Sequence, residues 1–233
     1  MLTAETRFVA LLGHPVAHSL SPRMQNAAFA ARGLDWAYVA LDVPPERLAD
    51  AVRGLASCRF AGANVTAPHK LAVAALEFVD TAAPSVNMLR FADGRIEGRT
   101  SDAAILDDLE FERPVVIGEG GAGTAFAHAL RGRGLEPRIF ARRGEWPADV
   151  RGADLVVNAT AARDDVLADV HAGQTLVDLP YPESATARAA RAAGARVLDG
   201  LDVLVAQGAV TFELLTGVTA PVDVMRRVVR FGG

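Results

Sequence analysis

Three apolar residues, Val115-Val116-Ile117, run directly into Gly118-Glu119-Gly120-Gly121-Ala122-Gly123, and an alanine-rich stretch follows that ends at Gly132 or Gly134. A short strand with no polar alternation has both faces covered, the pattern of a buried parallel sheet. Parallel strands need crossover connections, usually helices, so this juncture confines the chain to an α/β architecture. Glycines at such a turn also let backbone N–H groups approach a pyrophosphate at the positive helix terminus. The segment thus predicts a dinucleotide site, the alternative being a packed glycine turn that holds nothing. One residue opposes binding: the Glu119 carboxylate repels phosphate unless it points away.

The same alternation extends in both directions. Towards the C-terminus, strands are expected at Arg138–Ala141, Leu155–Asn158, Thr175–Asp178 and Ala195–Leu198. Helices are expected over Leu201–Leu215, stopped by Gly217, and over Val222–Val229. Before residue 102, strands at Phe8–Leu12, Trp36–Leu41 and Gly62–Val65 alternate with helices at 23–32, from Pro44-Pro45 to about Leu55, and from near His69. Strands spaced by helices predict parallel pairing with right-handed crossovers. Asp93-Gly94 marks a hairpin turn. Thr66 is suited to cap the helix that Pro68 starts. Two domains, if present, join near Asp102–Glu112 and again near Asp199–Val205.

The tip of the second strand after the glycine loop bears on the cofactor. An NAD site offers an acid roughly 20 residues on, for the ribose 2′-hydroxyl. Here that place holds Ala141-Arg142-Arg143, with no acid until Glu145. Two arginines suit a 2′-phosphate, which favours NADP over NAD; the alternative is a pair of solvated arginines. Net charge is −4 with pI ≈ 5.7, so no basic footprint argues for nucleic acid. The single Cys58 excludes an internal disulfide, and it and the five histidines show no metal spacing. No apolar run approaches the roughly 18 residues of a membrane span. Glu5 and Arg7 interrupt any signal peptide, so the chain reads as soluble and cytoplasmic.

Of the 24 Lys+Arg residues, only Lys70 is a lysine. Arginine serves wherever a fixed charge suffices, but guanidinium does not surrender a proton in proteins. A lysine kept in an arginine-biased chain therefore points to a titrating role, against survival by chance on a solvated helix start. It closes Gly62-Ala-Asn-Val-Thr-Ala-Pro-His-Lys70, which crowds Asn64, Thr66, His69 and Lys70 at a strand-to-helix junction. Ligands bind at such junctions in α/β proteins.

These segments together resemble the shikimate dehydrogenase family over most of the chain. The resemblance is carried by Gly13-x-Pro15-x-x-His18-Ser-Leu-Ser-Pro22 with Asn26, Asn64-Val-Thr-x-Pro-His-Lys70, Val86-Asn87, Asp102, Gly118-x-Gly-Gly-Ala122, Asn158-Ala-Thr160 and Asp199-Gly-Leu-x-x-Leu-Val-x-Gln-Gly208. It implies NADP(H)-dependent interconversion of 3-dehydroshikimate and shikimate, with no nucleic-acid or membrane partner. It implies a substrate-binding α/β domain, residues 1–102 plus 205–233, and a Rossmann-type doubly wound parallel-sheet NADP domain, residues 103–204, with a cleft between them. By the same resemblance Ser19 and Ser21 hold the substrate carboxylate, with Tyr181 nearby, and Thr66, Asn87 and Gln207 hold its hydroxyls. Lys70 and Asp102 form the catalytic pair. Gly118, Gly120, Gly121, Ala122, Arg142, Arg143, Asn158, Thr160 and Gly200 are expected to hold the cofactor.

Each role has a plainer alternative. Ser21 and Asp102 can be helix N-caps, Asn87 can satisfy a strand end, and His14, His18 and His69 suit loops or packing. The chain also departs from the family. Thr100-Ser101-Asp102 replaces Asn-Thr-Asp, and Pro84-Ser85 stands in a shortened segment before Val86-Asn87. Ala141-Arg-Arg143 replaces Asn-Arg-Thr, no Gly-Met follows Asn158-Ala-Thr160, and Pro182 comes one place early. Quinate or aminoshikimate as substrate, a non-catalytic ligand-binding relative, and a monomer or a homodimer all stay open.

Overall fold

The computed structural model describes residues 2–141 and 146–232. The chain forms two compact units, Met1–Ser101 with Val205–Gly233, and Asp102–Leu204.

In the first unit, β1 (Arg7–Gly13), α1 (Ser21–Ala31), β2 (Trp36–Asp42), a short 3-10 turn (Pro45–Arg47), α2 (Leu48–Ser57), β3 (Gly62–Val65), α3 (Lys70–Ala74), β4 (Met88–Ala92) and β5 (Arg95–Arg99) follow in order. The sheet order is β2-β1-β3-β4-β5. β1 pairs in parallel with β2 and β3, because α1 and α2 carry the chain back across the sheet. α2 is amphipathic: Leu48, Val52 and Leu55 recur at helical spacing and are buried against Ala10, Leu12, Ala63 and Val65.

Parallel pairing stops at β3. β4 runs antiparallel to it, with Met88 opposite Asn64, and β5 runs antiparallel to β4. The five-residue α3 is too short to serve as a crossover, so the chain after β3 returns to the edge it left. The hairpin turn is at the expected dipeptide, Asp93 (φ 52°) and Gly94 (φ 73°), the two positive φ angles that a tight antiparallel turn requires.

The second unit holds a 3-10 turn (Ala104–Asp108), β6 (Pro114–Ile117), α4 (Gly121–Gly132), β7 (Arg138–Phe140), β8 (Leu155–Asn158), β9 (Thr175–Asp178), α5 (Ala185–Ala192) and β10 (Arg196–Leu198). All pairings in its sheet, β10-β9-β8-β6-β7, are parallel. On one face Phe126 and Leu130 of α4 pack with Leu106 on Val116, Leu155, Val157 and Val177. On the other, α5 shares the cover with two extended stretches, whose Ala148, Val150, Ala168 and Val170 bury against Val115, Ile117, Val156 and Leu176. These stretches pair at Ala148 and Ala168 and stand in the β7–β8 and β8–β9 crossovers, where no helix occurs among the described residues.

α6 (Gly200–Thr216) contains the division between the units, and α7 (Val222–Phe231) ends the fold. No helix among the described residues is long and apolar enough to cross a membrane.

Candidate active site

The polar residues of the first unit gather where β1 and β3 end. Because β4 starts and β5 finishes at that edge, Asn87 and Ser101 arrive there too. Thr66 follows β3 directly, its N–H bonded to Leu12 O at 2.8 Å. A Cβ on Gly13 would stand 2.5 Å from Thr66 Cγ2, so the loop after β1 passes Thr66 only because residue 13 is glycine. In that loop Ser19 Oγ accepts a 3.2 Å bond from Ser21 N–H. Ser21 is the first residue of α1 and makes no capping bond; Leu20 stands at the N-cap. The cap alternative for Ser21 therefore fails.

Thr66 caps nothing either. α3 starts at Lys70 with His69 as its N-cap, and Thr66 contributes only its carbonyl, which accepts from His69 N–H at 2.9 Å. Pro68 belongs to the turn before the helix, so the threonine hydroxyl lies too early to reach the first helical N–H groups. His69 is buried, and its Nε2 donates to Val43 O at 2.8 Å, which makes it a packing residue. Lys70 is half-buried, and its carbonyl accepts from Val86 N–H at 3.0 Å. The lysine is thereby tied to the residue preceding Asn87.

Asn87 is fixed on all sides. Its N–H bonds Arg99 O, and its carbonyl accepts from Val65 N–H and from Asn64 Nδ2. Ser101 N–H lies 2.8 Å from its Oδ1. A backbone N–H can only donate, so this bond assigns the amide and sets Nδ2 towards Ser101 Oγ (3.1 Å) and Gln207 Oε1 (3.5 Å). Ser101 Oγ also lies 3.2 Å from Gln207 O. Asn87 thus does more than satisfy a strand end.

Asp102 follows Ser101 and is buried; the adjacent 3-10 turn has Ala103 at its N-cap, so the capping alternative fails there also. Thr100, where the family carries asparagine, leaves its Oγ1 buried with no hydrogen bond among the described residues.

In the second unit the glycine loop joins β6 to α4. Gly118 has φ +111°, and a Cβ on Gly123 would lie 2.0 Å from Gly118 O, so side chains are barred where helix and strand meet. Gly120, the N-cap of α4, faces open space and leaves the helix terminus without a side-chain cap. Gly121 and Ala122 form its first turn, and Glu119 is exposed. Arg142 and Arg143 lie outside the described residues. Tyr181, half-buried after β9, lines a groove of ≈ 460 Å³ with Pro180, Glu183, Arg191 and Gly200.

Asn158 is buried and bonded within the protein. Its Nδ2 donates to Asp178 Oδ1 at 2.7 Å, and its Oδ1 accepts from Thr160 N–H and Oγ1. It shapes the loop carrying Thr160. Burial pushes the Asp178 carboxyl up from its usual value, against the pull of the Asn158 amide. A carboxyl raised on folding adds stability that is whole below about pH 4 and is lost as the pH climbs through the raised value. Asp178→Asn cannot ionise, so its melting temperature relative to wild type should improve between about pH 4 and pH 7. A difference that stays constant over that range would show that the carboxyl is not raised.

The sequence reading overlooked Tyr38, Ser101 and Thr211. A faint signal existed: Tyr38 and Thr211 are polar residues within apolar runs, and buried polar groups need partners.

Residues 11–90 match the model of the shikimate dehydrogenase substrate binding domain, and residues 200–230 match that of the shikimate 5′-dehydrogenase C-terminal domain. The chain is 40% identical to a shikimate dehydrogenase (NADP(+)) of Anaeromyxobacter dehalogenans (strain 2CP-C), covering 97% of each protein. It is 39% identical to one from Methanopyrus kandleri, covering 97% of this chain and 96% of the relative. The first alignment is 272 residues long against a chain of 233, so at least 39 residues of that relative have no counterpart here. Among solved structures, shikimate 5-dehydrogenase of Thermus thermophilus in complex with NADP(H) and shikimate superposes with a TM-score of 0.83. The two are 32% identical, over 96% of this chain and 98% of that one.

Proposed function

The chain belongs to the shikimate dehydrogenase family, and we propose that it interconverts 3-dehydroshikimate and shikimate with NADP, using Lys70 and Asp102 to handle the proton. The observation that carries this reading is the grouping of Thr66, Lys70 and Asn87 at one end of one sheet, met there by Gln207 of α6, with Ser19 in the adjoining loop and Ser21 at the start of α1. Donors and acceptors of that kind suit a small ring bearing a carboxylate and hydroxyls, since buried polar groups reject ligands that leave them unpaired.

NADP, when bound, exchanges hydride with the ring carbon. Reduction of the ketone makes its oxygen an alkoxide, which needs a proton donor within hydrogen-bond reach. The Lys70 ammonium supplies that proton and takes one back in the reverse direction. Ser19 and Ser21 hold the carboxylate at the start of α1, where the helix dipole helps. Thr66, Asn87 and Gln207 hold ring hydroxyls. The open glycine turn Gly118–Ala122 fits a pyrophosphate, and Arg142 supplies the charge for a 2′-phosphate. The protein is taken as a cytoplasmic biosynthetic enzyme.

A spectrophotometric assay of shikimate with NADP and with NAD, on wild type and on Arg142→Ala, tests this. Wild type should turn over faster with NADP. In the variant KM for NADP should rise roughly ten- to hundredfold, the size of a lost charge-assisted bond, while NAD is little affected. No turnover with either cofactor, or quinate oxidised faster than shikimate, would replace the reading. Equal weakening of both cofactors would free Arg142 of its role.

A further inference from the structure

Asn26 and Asn64 belong to the two segments that most clearly carry the family resemblance, yet neither has a role among the ligand-binding residues above. The structure gives them partners. β2 is an edge strand, and Asn26 on α1 pairs both backbone groups of its Tyr38, donating to Tyr38 O at 2.9 Å and accepting from Tyr38 N–H at 2.8 Å. Tyr38 is 3% exposed, and its hydroxyl donates to Asn64 Oδ1 at 2.8 Å. Asn64 Nδ2 then donates twice, to Asn87 O at 3.1 Å and to Thr211 Oγ1 at 3.0 Å. Thr211, 1% exposed, donates in turn to Gln207 O at 3.2 Å.

Donor and acceptor chemistry fixes the direction of this chain. A carbonyl only accepts, so Asn64 must present its NH2 to Asn87 O and its oxygen to Tyr38. Both Asn64 amide protons are consumed inside the protein and its oxygen is engaged by Tyr38, so it has no N–H left to give a ligand. What it does fix is the backbone on which Asn87 sits and, through Thr211, the turn of α6 that bears Gln207. Those are the two side chains whose ends meet, Asn87 Nδ2 to Gln207 Oε1.

Resting on the function proposed above, we infer that Tyr38, Asn64 and Thr211 form a buried hydrogen-bond relay, held at its outer end by the exposed Asn26, that positions Asn87 and Gln207 for the ring hydroxyls. They are positioning residues: they set affinity for the hydroxylated ring without touching it. A misplacement of a few tenths of an ångström at Gln207 weakens ring binding while leaving the cofactor unit untouched.

The test compares Thr211→Val, which removes the hydroxyl and keeps the branched shape, with Thr211→Ser, which restores it. Thr211→Val should raise KM for shikimate roughly five- to thirtyfold, with kcat and KM for NADP held within about twofold, and Thr211→Ser should return it to near wild type. Tyr38→Phe acts on the other side of Asn64 and should move the same constant in the same direction; it carries the test should Thr211→Val not fold. A purely structural role would lower the melting temperature of these variants and leave KM for shikimate at the wild-type value, and that result overturns the inference. So does a serine variant as impaired as the valine one. A wild-type chain inert towards shikimate removes the underlying function as well, and is recognised without any variant.

Discussion

Lys70→Arg should fold, keep its positive charge and lose turnover roughly 10²- to 10⁴-fold, the usual size of a missing general acid–base group. The substitution separates charge from proton transfer, because guanidinium does not deprotonate while an ammonium does. The structure makes the comparison a clean one. Lys70 holds its neighbours through its carbonyl, bonded to Val86 N–H, and through its place at the start of α3. Both of these holds belong to the backbone and are kept in the variant. The loss should fall on kcat, with KM for shikimate moved far less. Turnover near wild type would end the lysine's claim to the proton, and a fall in KM-controlled binding alone would make it a ligand for the ring instead. The chain's own composition raises the stakes: 24 Lys+Arg residues include this single amine side chain, so no neighbouring lysine can stand in for it.

Gly123→Ala should abolish NADPH binding at ordinary concentrations, a loss of roughly a hundredfold or more. The added methyl would lie 2.0 Å from Gly118 O and 2.8 Å from Gly118 C, both backbone atoms with no rotamer to escape into. Relief needs a shift of about an ångström between α4 and the loop after β6, and displacements of that size cost on the order of 10² where ligand groups must be held in register. Gly118 has little slack to offer, since its N–H is bonded to Phe140 O at 2.9 Å. Fluorescence titration of NADPH measures the loss directly. Shikimate binding by calorimetry should survive, because its proposed ligands Ser19, Ser21, Thr66, Asn87 and Gln207 all belong to the other unit. Unchanged NADPH affinity would mean that the cofactor does not use this turn.

Several features were legible because their causes lie within a few residues. Val115–Ile117, the glycines after it and the alanine-rich run specify strand, turn and helix locally, and β6, the glycine turn and α4 occupy those residues. Asp93-Gly94 specifies its own turn, since both residues tolerate a positive φ. Thr66 shows the limit of such reasoning. Threonine ahead of proline is a sound capping signal, but the helix starts at Lys70, after the Pro68 turn, and Thr66 is left on the loop that the site uses. The plainer readings of Ser21 and Asp102 as caps failed in the same way: composition permits a cap, and only the backbone path decides whether an N–H group lies in reach.

By itself the amino-acid order determined the α/β class, the glycine turn, the lone lysine and the set of side chains that resemble one family's ligands. Tertiary structure alone decided that β4 turns back against β3, which delivers Asn87 and Ser101 to the edge where Thr66 and Lys70 already stand. It alone decided that Asn26, Tyr38, Asn64 and Thr211, far apart along the chain, share one run of hydrogen bonds. The reason is physical. Propensity, turn chemistry and charge act over a few residues, whereas strand pairing and the satisfaction of buried polar groups depend on partners that the sequence does not keep adjacent.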